Sequence, residues 1–262
     1  MPTAGVVIIG DEILSGKFAD QNGSFLITEL RHLGVDLKRL VVIPDEREDI
    51  AATVKELAAR CDYVFTSGGV GPTHDDVTIE SIAAAYGVAV VRHPDLELRV
   101  RGYWGERLDE ANLRLADVPD GAELAWGRDT TWPVVSFRNI YILPGVPELF
   151  RRKFVDLRDR FRSEPVVAAR LYANAEEGKL APSLDRVVAA YPAVKIGSYP
   201  RFTERDFRVM LTLESKDRAA VQAAYDALDA ELGELVVRRE APEDVAQVHA
   251  HPGPPDQPNA RP

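Results

Sequence analysis

Ser67-Gly68-Gly69-Val70-Gly71-Pro72-Thr73-His74-Asp75-Asp76-Val77-Thr78 follows an apolar run and precedes a helical stripe. Glycines at such a junction allow positive φ and bring backbone N–H groups close to an anion, and the helix N-terminus adds a partial positive charge. The stretch is neither a P-loop, since it lacks the Lys-Ser/Thr pair, nor a dinucleotide fingerprint in spacing. Asp75 and Asp76 would repel a phosphate unless a divalent cation lay between them, so the turn suggests phosphate plus metal. The plainer reading of the same residues is a strand-to-helix turn with both aspartates as helix caps.

Outward from this turn the chain alternates strand and helix. Upstream lie strands over 62–66, 40–43 and 6–9. Ile50, Val54, Leu57 and Ala58 form one helical stripe between them, and Leu26, Leu30 and Leu33 another, with Asp20 as N-cap and Gly34 just past the end. Downstream, Thr78 is expected to cap a helix ending at Gly87, followed by a long helix over 96–115, strands over 134–137 and 140–143, and a helix over 148–161. This order predicts an α/β fold with a mostly parallel sheet. From residue 164 the rhythm becomes β-α-β-β-α-β, the ferredoxin-like signature of a small α+β unit. Domains are therefore expected at 1–163 and 164–240, with a Pro-rich disordered tail at 241–262.

In open α/β sheets ligands gather outside the carboxyl ends of the strands. Gly10-Asp11-Glu12 follows the first strand and Pro44-Asp45-Glu46 the second, so Asp11, Glu12, Asp45, Asp75 and Asp76 should share one rim. Asp45 with Glu48 also fits a helix-capping box. Pro144-Gly145-Val146-Pro147 after the last strand is either a rigid turn or a second anion cradle. These motifs contain no fixed positive charge, and Arg128 and Arg201 are distant in sequence. His74 is expected in solvent and Cys61 in the core, and Trp104, Trp126 and Trp132 are expected to pack; Trp132 precedes Pro133.

The 262 residues correspond to about 1.7 average domains. Thirty-two Lys plus Arg against 42 Asp plus Glu give a net charge of −10, which argues against a nucleic-acid partner. The longest apolar run, residues 5–10, is far short of a membrane span. One cysteine cannot form an internal disulfide, and no basic, cleavable leader is visible at the start, so the cytoplasm is the expected compartment.

Gly10-Asp11-Glu12-Ile13-Leu14-x-Gly16, Asp20-x-Asn22, Pro44-Asp45-Glu46, the glycine turn with Thr73-x-Asp75-Asp76-Val77-Thr78, and Leu143-Pro144-Gly145-Val146-Pro147 together resemble the molybdopterin-binding domain family. That family includes the MoaB and Mog enzymes and the amino-terminal domains of CinA and of eukaryotic FAD synthase. The resemblance covers roughly residues 5–240 and is closer to the CinA and FAD synthase branch, as Trp132-Pro133-Val134-Val135, Arg138-Asn139-Ile140-Tyr141 and Gly197-Ser198-Tyr199-Pro200 echo it. Residues 125–132 lack the loop usual in CinA-type chains, which favours the FAD synthase likeness.

The resemblance implies a three-layer α/β/α domain of the MoaB/Mog type, self-associated as a trimer or dimer, that takes a small-molecule nucleotide or pterin. In this branch it implies cleavage of a pyrophosphate such as FAD or ADP-ribose with magnesium, manganese or cobalt, and potassium as a further ion. Asp45 and Asp76 match the family's functional aspartates, and Asp45, Asp75 and Asp76 are the expected metal ligands. Gly10, Asp11, Glu12, Ser67, Gly68, Gly69, Gly71, Pro72, Thr73, Thr78, Pro144 and Gly145 are the expected substrate contacts. Transfer of adenylate to molybdopterin and non-catalytic binding stay open as alternatives.

Overall fold

The computed structural model describes residues 1–128 and 131–245, in two units, Met1–Ser163 and Glu164–Pro262. In the first, β1 (Thr3–Ile9), α1 (Asp11–Leu14), α2 (Asn22–His32), β2 (Asp36–Ile43), α3 (Arg47–Arg60), β3 (Tyr63–Ser67) and α4 (Thr78–Tyr86) come in turn. They are followed by β4 (Val90–Arg92), α5 (Pro94–Trp104), α6 (Glu110–Leu113), β5 (Asp117–Pro119), β6 (Glu123–Ala125), β7 (Val134–Phe137), β8 (Ile140–Leu143) and α7 (Pro147–Leu157). Six strands form one sheet in the order β2-β1-β3-β8-β7-β6. The first four run parallel, and β7 and β6 are antiparallel additions at one edge. Strands β4 and β5 pair separately.

Side chains on β1 alternate between two cores, as a period of two requires. Val6 and Ile8 join Leu26 and Leu30 of α2 and Phe150 and Phe154 of α7 on one face, whereas Val7 and Ile9 join Ile50, Val54 and Leu57 of α3 and Ile82 of α4 on the other. The sheet is thus the middle of three layers. Phe65, Phe150, Phe154 and Phe161 are fully buried, and Phe65 meets Phe161 edge to face at 4.9 Å. Each such ring contributes roughly 1.5–3 kcal/mol by burial. This cluster ties β3 to α7, the two elements that flank the turns described below.

The second unit contains β9 (Val167–Ala173), α8 (Glu177–Ala190), β10 (Lys195–Pro200), β11 (Val209–Ser215), α9 (Arg218–Leu232) and β12 (Val236–Asp244). Its antiparallel sheet has the order β10-β11-β9-β12, and one face packs Leu171, Leu211 and Leu213 against Leu180 of α8 and Leu228 of α9. This is the ferredoxin-like arrangement.

Three local expectations need correction. The single helix expected over 96–115 breaks after Trp104, because Gly105 takes φ 53° and Asp109 starts a new helix by accepting from the Asn112 N–H at 2.8 Å. Strand β12 continues past residue 240 despite Pro242: Glu243 and Asp244 pair with Ala168 and Val167, and Arg218 holds the Pro242 carbonyl and the Asp244 carboxylate. The expected disordered tail therefore does not start at 241, and residues 246–262 lie outside the described residues. Thr78 is not a cap. It is the first residue of α4, and its hydroxyl donates to the Gly68 carbonyl at 2.9 Å.

Candidate active site

The parallel register brings four strand ends to one level, with Ile9 opposite Ile43, Ile8 opposite Ser67 and Ser67 opposite Leu143. Gly10, Asp45, the glycine turn and Pro144-Gly145 consequently emerge along one edge of the sheet. Two bonds from Asn22 staple this edge: its side-chain amide donates to Ser67 Oγ at 2.9 Å and to the Gly145 carbonyl at 2.7 Å. Asn22 is itself held in place at the start of α2, where Asp20 Oδ1 accepts from the N–H groups of Asn22 and Gly23.

Two glycines of the turn are dictated by space. Gly68 has φ 106°, and a Cβ there would collide with the Ile9 carbonyl. Gly69 has φ 63°, and a Cβ would strike the Thr78 hydroxyl and come within 3.6 Å of Asp45 Oδ1. A Cβ on Gly71 would lie 2.6 Å from Asp76 Oδ2. Asp76 therefore crowds this short turn at Gly71, and Asp45 lies within contact distance of it at Gly69.

Each of the two carboxylates is half engaged. Asp45 Oδ2 accepts from the Asp11 N–H at 2.9 Å, and Asp76 Oδ2 accepts from the Thr73 N–H at 2.9 Å and the Thr73 hydroxyl at 2.5 Å. The second oxygen of each has no hydrogen-bond partner among the described residues. Burial pushes the Asp45 carboxyl above the usual range, the Asp11 N–H opposes that, and the charges of Glu12, Asp11 and Asp75 add to it. Asp75 and His74 are exposed, and the His74 side chain is 97% exposed.

A cavity of about 410 Å³ opens beside the turn. Gly69, Gly71, Asp76 and Pro144 line it together with Trp104, Trp132, Arg114, Arg152 and Lys153. Lys153 is buried and donates to the Trp132 carbonyl, fixing the segment that carries that indole.

The profile of the family described as "Probable molybdopterin binding domain" matches residues 5–161. The chain belongs to that family. The profile of the FAD synthase middle domain matches residues 165–241 of this molybdopterin-binding domain protein. A probable FAD synthase of Caenorhabditis briggsae is 32% identical over 254 residues, covering 86% of this chain and 49% of that protein. The chain thus spans about half the length of the FAD synthases it matches. A protein of Archaeoglobus fulgidus is 31% identical and matches 84% of this chain and 93% of its own. A CinA-like protein of Anaeromyxobacter is 38% identical over 154 residues, 56% of this chain and 38% of that one. The structure of CinA from Thermoplasma acidophilum, 26% identical, covers 61% of this chain and 98% of its own with a TM-score of 0.56. The likeness places the chain with the CinA-like and FAD synthase-type members.

Within this family member, the expected rim divides. Asp76, Gly69, Gly71 and Pro144 reach the cavity, whereas Asp11, Glu12, Asp45 and Asp75 do not line it, and Ser67, Gly68, Thr78 and Gly145 serve as its scaffold. Pro72 and Thr73 shape the turn from outside the lining. Among the described residues no three Asp, Glu, His or Cys side chains form a ready metal cluster, so Asp45, Asp75 and Asp76 are not gathered as one ligand set. The motifs were expected to offer no fixed positive charge, yet Arg114, Arg152 and Lys153 line the cavity from helical segments far along the chain. Trp104 and Trp132, expected only to pack, line it too; Trp126 instead lies under the Arg99 guanidinium at 4.5 Å. Arg152 and Lys153 directly follow the Pro144-Pro147 turn by one helical turn and a half, which was the available signal; Arg114 had none. Among the described residues no helix is long and apolar enough to cross a membrane.

Proposed function

We propose that the first unit binds a pyrophosphate-linked adenine nucleotide, FAD or ADP-ribose, and hydrolyses its phosphoanhydride with a divalent cation. The observation that carries this reading is that one cavity is lined both by the glycine turn with Asp76 and by Trp104 and Trp132, with Arg152 and Lys153 completing it. A dinucleotide asks for that combination: N–H groups and cations for phosphate, flat apolar surfaces for rings.

The donor set suits magnesium-like ions, which are commonly held by one or two carboxylates while substrate phosphates and water complete the shell. Asp76, which lines the cavity, would hold it through the oxygen left without a partner, and Asp45, which lies beside Gly69 without lining the cavity, would be the second carboxylate, whereas the exposed Asp75 would not take part. When bound, the cation supplies Lewis acidity and a more acidic water. The chain's own groups do the rest. N–H groups of the turn and of the start of α4 face developing phosphate charge, Lys153 and Arg152 add fixed positive charge, and the indoles orient the ring. Water adds to one phosphorus as the bridging P–O bond breaks, leaving AMP and FMN, or AMP and ribose 5-phosphate.

Transfer of adenylate to a pterin is the second reading, favoured by the description of the matched family. Incorporation of labelled adenylate into a pterin would separate it from hydrolysis. Chelator-treated protein should lose FAD and ADP-ribose turnover and regain it with magnesium, manganese or cobalt. Undiminished turnover after chelation would overturn the role given to the aspartates.

A further inference from the structure

Arg114 lies outside every sequence motif, yet it grips the glycine turn at three points and helix α4 at a fourth. Its Nη1 donates to the carbonyls of Pro72 at 3.3 Å and Thr73 at 3.0 Å. Its Nη2 donates to the Asp76 carbonyl at 3.4 Å and to Glu80 Oε1 at 3.3 Å. The residue is set there by its neighbours: Leu113 and Ala116 are buried on either side, and the Asp109 cap fixes the short helix before it.

We propose that Arg114 is a positioning residue, which locks residues 72–76 into one conformation and thereby aims the Asp76 carboxylate and holds the turn's carbonyls away from a bound phosphate. The inference rests on the hydrolase reading for its kinetic consequence only. Thr73 already fixes one Asp76 oxygen from within the turn, and Arg114 fixes the backbone of the same turn from outside. The carbonyl oxygens of Pro72, Thr73 and Asp76 would repel an anion if they turned toward the cavity; a guanidinium that binds all three keeps them on its own side and offsets their partial negative charge. A planar fork can span carbonyls of successive residues, whereas a lysine ammonium is a point charge and cannot hold the same set.

The test uses Arg114→Ala and Arg114→Lys in the full chain, with amide hydrogen exchange and FAD hydrolysis measured together. Exchange at Thr73, Asp76 and Val77 should rise roughly tenfold in Arg114→Ala and nearly as much in Arg114→Lys, with β1 and β3 unchanged. In the kinetics, kcat should fall about tenfold or more while KM stays within about threefold, and added guanidinium should restore part of kcat. If Arg114→Ala does not fold, Arg114→Lys alone carries both readouts. Unchanged exchange in residues 73–77 would overturn the proposal. So would a raised KM with unchanged kcat, which would make Arg114 a direct phosphate contact. If the wild-type chain does not hydrolyse FAD, the hydrolase reading fails while the exchange measurement still decides whether Arg114 holds the turn.

Discussion

Asp45 Oδ2 accepts the Asp11 N–H at 2.9 Å, joining the loop after β2 to the first residue of α1 at the edge where the glycine turn also emerges. The bond ties a carboxylate that lies beside Gly69 to the start of α1. It does not fully offset burial, which leaves the Asp45 carboxyl harder to ionise than an ordinary aspartate.

An aspartate whose folded-state pKa lies above its unfolded value contributes stability in acid and loses it as pH rises through the folded value. Asp45→Asn keeps an oxygen for the Asp11 N–H and removes the charge. Calorimetry should therefore give the variant a higher melting temperature than the parent near neutral pH, with the difference closing in mild acid. A variant that melts lower at neutral pH would mean that the Asp11 bond outweighs the cost of burying the charge.

Asp76→Asn separates chemistry from capping. Helix α4 starts at Thr78 with Val77 before it and no side-chain cap, so Asp76 does not support the helix terminus. The variant should melt within a few degrees of the parent while FAD hydrolysis falls by about a hundredfold or more. Unfolding of the variant would restore the structural reading of this aspartate.

The layered fold was readable because apolar alternation and helical stripes depend on local sequence alone, as Val6 to Ile9 and Leu26, Leu30 and Leu33 illustrate. So were Gly68 and Gly69, since strain and close approach at a tight turn leave few other residues possible. Thr78 was misread because its hydroxyl could serve either the helix it begins or the turn before it, and only the tertiary position of the Gly68 carbonyl decides. Arg114 was invisible because its partners lie about 40 residues earlier, a distance no local pattern encodes. Trp104 and Trp132 have the same difficulty, since an indole that packs and one that lines a cavity look alike in sequence.

Gly68→Ala should be far more damaging than a typical surface change. The new Cβ would meet the Ile9 carbonyl oxygen, which is backbone and cannot swing aside, in a left-handed conformation that alanine resists. A loss of about 2 kcal/mol or more is expected in urea unfolding. Stability equal to the parent would show that the turn can relax without its glycine.

Whether this chain hydrolyses a pyrophosphate is tested most directly by identifying the products. The purified chain should be incubated with FAD and, separately, with ADP-ribose in the presence of magnesium or manganese, and the nucleotides resolved by chromatography. AMP is expected in equal amount with FMN from FAD, or with ribose 5-phosphate from ADP-ribose, and neither from Asp76→Asn. Binding of either nucleotide without release of AMP would contradict the hydrolase reading and leave a binding module in its place.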